Sequence, residues 1–228
     1  MWERPREPSP PDLPDRLGSE VPVDLRATEV SETHLSGIDL STRDATSLSF
    51  VDGRISGVEM SAVLRGATFR DCVVEGGNWA NVDASESRLA RVEFRGVRMT
   101  GAIFGGASIS DVTFTECRLD LASFRFARME GVRFDRCRLD KADLYRASCA
   151  SIVFASCDLT EANVSEASFE RCEMRGCDLE GIAGAAFLRG LAMPVEDVVR
   201  SAVVLAAGLG VRILDDEQDR RDDGAEEH

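Results

Sequence analysis

The chain has 228 residues, 43% of them hydrophobic, with 11 Phe but only two Trp and one Tyr, and a formal net charge of −14. No stretch approaches the roughly 18 consecutive apolar residues of a membrane span, and residues 1–18 hold proline and mixed charge in place of a signal peptide's apolar segment, so a cytoplasmic protein with no membrane contact is expected. Seven cysteines, an odd number without an export signal, are expected as reduced thiols and not as a disulfide framework.

In chain order, residues 1–20 are predicted as a disordered Pro-rich tail carrying a charge of −2. A five-residue period then starts and places Leu25, Val30, Leu35, Leu40, Ala45, Phe50, Ile55 and Met60 in one phase. The next member, Leu64, comes only four residues after Met60, so the register slips there by one residue. Arg43 occupies a slot in this first stretch where the period expects a small inward side chain. From Leu64 the period continues through Phe69, Val74, Trp79 and onward to Leu179, giving 24 successive centres that are apolar or weakly polar. The residue two before each centre is small or β-branched, as in Ala102, Val112, Cys117 and Ala122, while the other three slots are dominated by Arg, Asp, Glu, Ser, Thr, Gly and Asn. Neither a 3.6-residue helix nor an alternating strand sustains such a pattern. A second period of twenty runs through the same stretch: Phe94, Phe114, Phe134 and Phe154; Leu119, Leu139, Leu159 and Leu179; Cys117, Cys137, Cys157 and Cys177.

The runs Ala142-Asp143-Leu144-Tyr145-Arg146, Ala162-Asn163-Val164-Ser165-Glu166 and Cys177-Asp178-Leu179-Glu180-Gly181 resemble the A(D/N)LXX consensus of pentapeptide-repeat proteins. That resemblance implies an all-β fold, a right-handed quadrilateral parallel β-helix in which four pentapeptides make one square coil and the centre and the residue two before it point inward. Residues 21–182 would then form about eight coils, a solenoid roughly 38 Å long at about 4.8 Å per coil. Such a stack exposes apolar surface and backbone edges at its ends and needs caps.

After Leu179 the period dissolves, and residues 183–214 are predicted as a C-terminal helical cap and dimerisation segment. Pro194 is placed to begin a helix whose Val195, Val198, Val199, Ala202, Val203 and Ala206 share a face; Gly208 is placed to end it, and Leu209–Leu214 reads as a short strand. Phe187, Leu188, Val199, Val203, Leu205, Leu209, Val211 and Ile213 are the candidate dimer contacts. Residues 215–228, with a charge of −6, read as an acidic disordered tail.

Little in the sequence points to catalysis. The cysteine column reads as small buried side chains, since four thiols in a row do not make the tetrahedron zinc requires. Only His34 and His228 exist, which argues against a histidine base or a multi-histidine metal site. Gly208-Leu209-Gly210 follows a helix and so lacks the context of a nucleotide loop. The expectation is a non-enzyme without cofactor or metal. In size, near-unbroken coils and apolar C-terminal helix, the chain is similar to the loop-free, mycobacterial-type quinolone-resistance branch of the family. That similarity implies a homodimer which imitates duplex DNA and binds a type II topoisomerase such as gyrase, without contacting nucleic acid itself. Charge qualifies this. Duplex DNA carries about one negative charge per 1.7 Å, far more than the repeat region, and the middle of the solenoid is basic. Asp158, Glu161, Glu166, Asp178 and Glu180 make the last coils acidic and are the candidate partner surface. The alternative is a β-helical scaffold for a different protein partner.

Overall fold

The computed structural model describes residues 3–60 and 63–213; the acidic stretch 215–228, Leu214, Ala62 and His228 lie outside them. Strands come in chain order as β1 (Glu29–Ser31), β2 (His34–Ser36), β3 (Ser49–Ser56), β4 (Thr68–Glu75), β5 (Arg88–Arg95), β6 (Ser108–Thr115), β7 (Arg128–Asp135), β8 (Ser148–Ala155), β9 (Ser168–Glu170), β10 (Cys172–Arg175) and β11 (Leu191–Ala192). All pair in parallel, in the order β1-β3-β4-β5-β6-β7-β8-β10-β11, with β2 also on β3 and β9 on β8. Each strand therefore stacks on its counterpart one coil away, and the chain is a parallel β-solenoid of about eight turns. The pairings Val74↔Phe94 and Phe94↔Phe114 fix the coil at twenty residues.

Two of the four sides carry these ladders and two do not. Centres such as Leu89 and Phe94 lie within one continuous strand, whereas the sides centred on Leu119 and Phe124 meet the next coil through single bridges, Arg118↔Arg138 and Ser123↔Asp143. The Asp/Asn of the consensus belongs to these sparser sides. Asp143 Oδ1 accepts from Tyr145 N at 2.9 Å, Asn163 Oδ1 from Ser165 N at 3.0 Å and Asp178 Oδ1 from Glu180 N at 3.0 Å. A short carboxyl or amide side chain supplies the turn with a hydrogen bond that the ladder leaves out.

The inward slots behave as the period demands. One continuous core runs from Leu25 to Leu188, and Ala102, Val112, Ala122 and Ala142 are fully buried within it. Phe94, Phe114, Phe134 and Phe154 form a stack with centroids 4.9–5.0 Å apart and planes within 6° of parallel. That spacing follows from the pairing distance of neighbouring strands. Arg43 departs from its slot. Its side chain turns outward and donates to the Val23 carbonyl, because an unpaired guanidinium in an apolar channel would cost far more than an irregular first coil.

The slip is also present. Asp39 bridges Glu59 and Val63 bridges Asp83 at twenty residues, but Asp44 bridges Val63 and Ser49 pairs with Thr68 at nineteen. The missing residue thus falls between Glu59 and Val63, within the interval read from Met60 to Leu64. Turn geometry is a feature the sequence reading did not contain. From Gly66 to Gly181, every residue two after a centre has positive φ, and 16 of these 24 are not glycine, among them Arg91, Leu121 and Phe126.

The C-terminal end is closed in three ways. β11 pairs with β10 and covers part of its open edge. A short 3-10 turn, Ala185–Phe187, precedes β11, and two helices follow it, α1 (Val195–Arg200) and α2 (Ala202–Gly208), separated at Ser201. Finally, Asp197 of α1, only 3% exposed, accepts from Gly176 N at 2.7 Å. In earlier coils the equivalent amide donates to the next coil, as Ser156 N does to Arg175 O, so Asp197 stands where a further coil's carbonyl would be. The single helix expected here is two, and the second ends at Gly208 as expected. Gly208 is the last residue of α2, and a Cβ on it would come within 2.7 Å of Ala185. The left-handed residue beyond that end is Gly210, with φ +78°, beside the pair of bonds Gly210 N→Ala207 O and Val211 N→Ala206 O that terminate many helices. Residues 209–213 form no strand, since these bonds turn the chain back on α2.

Candidate interaction surface

The solenoid turns its core residues inward and leaves its outer slots to charged and polar side chains, so any functional site lies on the outside. Opposite charges one coil apart neutralise one another along much of it. Arg91 grips Asp71 at 2.5 and 2.6 Å, Arg54 reaches Glu75 at 2.7 Å, Arg125 reaches Asp143 at 2.7 Å and Arg136 reaches Glu116 at 3.0 Å. The bond to Arg91 holds the Asp71 carboxyl below its ordinary range against the opposing effect of burial.

The five acidic candidates divide under this test. Glu166 bonds to Arg146 at 2.6 Å and accepts from Tyr145 Oη at 2.9 Å, which lowers its pKa, chiefly through Arg146. Glu161 lies 3.7 Å from Lys141. Asp158 caps its own turn through Thr160 N. Among the described residues no ion pair involves Asp158, Asp178 or Glu180. Asp178 and Glu180 line a groove with Gly176, Arg200, Val203 and Val204, between the last coil and the helical cap.

The dimer candidates divide as well. Leu188 is buried, Phe187 is half-buried, and Leu205 packs partly against the core. Val199, Val203, Leu209, Val211 and Ile213 face solvent, joined by Val195; Val195, Val199 and Val203 are 77%, 69% and 63% exposed at four-residue spacing. The valines that the amphipathic pattern groups lie on the outer face of the cap.

One cluster escaped the sequence reading. Arg125 lies over the Tyr145 ring at 4.6 Å and Arg146 at 5.1 Å, while Phe126 meets Tyr145 edge-on at 5.8 Å. Phe126 is 49% exposed, and exposed Leu121 holds the same slot one pentapeptide earlier. Its signal was Phe126 itself, an aromatic in an outward slot beside the inward Phe124. Aromatic and arginine side chains are enriched where proteins bind each other.

The seven cysteines are buried thiols. Cys117, Cys137 and Cys157 donate to the carbonyls of Phe94, Phe114 and Phe134 at 3.3–3.5 Å. Burial pushes the Cys72 thiol up to about 12. Among the described residues no group of three or more His, Cys, Asp and Glu is placed to hold a metal ion. At pH 8 a disulfide reagent is expected to titrate essentially none of the seven thiols in the native protein and all of them in denaturant. The sign for stability follows: a thiol raised from 9.0 to about 12 favours the fold below pH 9, and that contribution fades as pH rises from 9 toward 12.

A parallel solenoid whose described coils turn a packed core inward and their polar slots outward defines a repeat protein of the β-helical class. A family model for a pentapeptide repeat region matches residues 87–155, and one for pentapeptide repeats in eight copies matches residues 62–101 and 147–182. The chain belongs to the pentapeptide-repeat family. Among solved structures it is similar to a trypsin-treated form of QnrB1, a plasmid-mediated fluoroquinolone resistance protein, at 19% identity over 87% of this chain and 97% of that one, with a TM-score of 0.41. It is also similar to HetL, a pentapeptide repeat protein involved in heterocyst differentiation regulation from the cyanobacterium Nostoc, at 15% identity over 74% and 89% of the two chains, with a TM-score of 0.35. No curated protein matches it in sequence. No described helix is long and apolar enough to cross a membrane.

Proposed function

We propose that the protein acts without catalysis, as a rod that binds other proteins, and that two copies join through the exposed valine stripe of the cap. The observation that carries this lies at the C-terminal end: Val195, Val199 and Val203 are exposed on α1 and α2, and Val203 shares a groove with Asp178 and Glu180 of the last coil. An apolar stripe rimmed by charge is the usual form of an interface. Joining two caps would bring two acidic ends together and extend them into one negative surface.

That surface is our specific reading of function, a DNA-like patch that occupies the duplex-binding groove of a type II topoisomerase and links the protein to fluoroquinolone resistance. Likeness to the quinolone-resistance branch in coil regularity and apolar C-terminal helix supports it. The basic, ion-paired middle confines the mimicry to the C-terminal end. Purified protein is expected to inhibit gyrase supercoiling at micromolar concentration, or to protect it from quinolone-stabilised cleavage. Val199→Asp with Val203→Asp is expected to convert the dimer to a monomer by light scattering and to weaken inhibition at least tenfold. No effect on gyrase would reject the topoisomerase reading, and an unchanged mass for the double variant would reject the cap interface. The scaffold reading is favoured by the Arg125–Phe126–Tyr145–Arg146 cluster, and a specific non-topoisomerase partner lost on Phe126→Ala would establish it.

A further inference from the structure

Residues 3–18, read from composition as a tail, lie along one corner of the solenoid. Gly18 pairs with the first coils through Gly18 N→Glu32 O at 2.7 Å and His34 N→Gly18 O at 2.8 Å. Further back, Asp12 N donates to Asp71 Oδ1 at 3.2 Å and Ser9 N to Asp111 Oδ1 at 2.9 Å. Arg6 makes a two-pronged contact with Asp111 and lies 3.7 Å from Glu130. Glu7 approaches Arg133 at 3.9 Å, and Arg4 and Pro5 line a groove with Val153 and Arg175. The segment thus crosses the coils from the last back to the first.

Its contact pattern has a period of three. Pro5, Pro8, Pro11, Pro14 and Leu17 are half-buried, and of the residues between them only Leu13 is not exposed. Three residues per turn is the period of a polyproline-type chain, which needs no internal hydrogen bonds and rises about 3.1 Å per residue. Three such residues span about 9.3 Å, close to the roughly 9.6 Å of two coils. Ser9 and Asp12, three residues apart, accordingly bond to Asp111 and Asp71, two coils apart. The corner is shaped to receive this chain. Val51, Val73 and Val153 occupy outward slots yet are only 5–8% exposed, and Asp71, Ser151 and Glu173 on the same line are equally covered. Gly131 leaves room for Arg6, whose guanidinium would lie 2.6 Å from a Cβ at that position.

We propose that this corner is a binding site for an extended proline-rich segment with a proline at every third position and an arginine after the first. Residues 4–17 fill it in cis, and a proline-rich segment of another protein takes their place to engage the rod. The spacing of two coils per turn selects the extended chain, Asp111 and Glu130 select the arginine, and Val51, Val73 and Val153 take the proline rings. This stands apart from the topoisomerase reading, which concerns the acidic groove beside the cap and the cap itself.

The test uses the full chain and a labelled synthetic peptide of residues 3–18. Wild-type protein is expected to protect the Ser9 and Asp12 amides from hydrogen exchange and to bind the peptide weakly, because the site is occupied. Arg6→Asp places a carboxylate against Asp111 and Glu130; it is expected to lose that protection and to bind the wild-type peptide at least tenfold more tightly than the wild-type chain does. Asp111→Arg is expected to lose protection and reject that peptide, while the double variant Arg6→Asp/Asp111→Arg recovers protection. A peptide with Pro5, Pro8, Pro11 and Pro14 replaced by alanine is expected to bind Arg6→Asp at least tenfold more weakly. Equal exchange at Ser9 and Asp12 in wild type and Arg6→Asp, or no gain in peptide affinity, would overturn the site; equal affinity for the alanine-substituted peptide would overturn its selectivity. Both substitutions lie outside the core, so unfolding curves should remain close to wild type and keep the readouts interpretable.

Discussion

Phe114→Ala is expected to destabilise the protein by about 3–5 kcal/mol, the range for removing a fully buried phenylalanine. Phe114 is 0% exposed and is the middle of the column, stacked at 5.0 Å on Phe94 and 4.9 Å on Phe134. Collapse cannot close the hole, because each coil's position is set by backbone ladders on two sides and not by the ring. The defect also sits where every coil depends on its neighbours, so the urea transition should broaden or split as the two halves decouple. Phe126→Ala, on the outer surface of a nearby coil, is the matched control and is expected to change stability by less than about 1 kcal/mol. Chemical denaturation followed by circular dichroism measures both. A loss below about 2 kcal/mol for Phe114→Ala would mean the column is less tightly packed than its geometry.

Gly77→Ala is expected to cost about 2–5 kcal/mol, the sum of overpacking and of forcing a side chain into left-handed backbone. The repeat suggests the opposite. In Gly77's column the following coils carry Val97, Cys117, Cys137, Cys157 and Cys177, so a small side chain there looks like restoration of the consensus. The structure gives the reason it is not. Gly77 has φ +83°, and a Cβ on it would lie 2.4 Å from the Val58 carbonyl oxygen and 2.7 Å from its nitrogen. Both are backbone atoms of the preceding coil and cannot rotate away. Val58 belongs to the coil that ends one residue short, so the glycine absorbs the mismatch where nineteen-residue spacing gives way to twenty. A melting temperature at or above that of wild type would show that the coil can shift to make room.

These two positions mark how far the sequence could be read. The core was legible because burial in a square coil is written directly as residue type: every fifth residue large and apolar, the one two before it small. The slip was legible for the same reason, from the single short step at Met60–Leu64. The turns were not. Left-handed backbone at Arg91, Glu116 and Phe126 is held by the stacked coils, and nothing in those side chains announces it. The N-terminal segment was hidden for a related reason. Its proline period of three is in the sequence, but its anchor, Asp111, is 105 residues from Arg6, and composition alone could not connect them. The cap was half legible: the valine stripe was visible, but neither the break at Ser201 nor the bond from the Gly176 amide to Asp197 was.

The nineteen-residue coil has a consequence for how such a chain can change length. Every coil after it pairs at twenty residues with the one before, so the lost residue was absorbed once and never handed on. Gain or loss of a whole coil would leave every side facing as before and only move the cap along the axis. Gain or loss of one pentapeptide would swing everything beyond it through a quarter turn, carrying the cap's valines to a different side from the corner that holds residues 4–17. The two surfaces keep a fixed bearing to one another only while changes in length come in multiples of four pentapeptides.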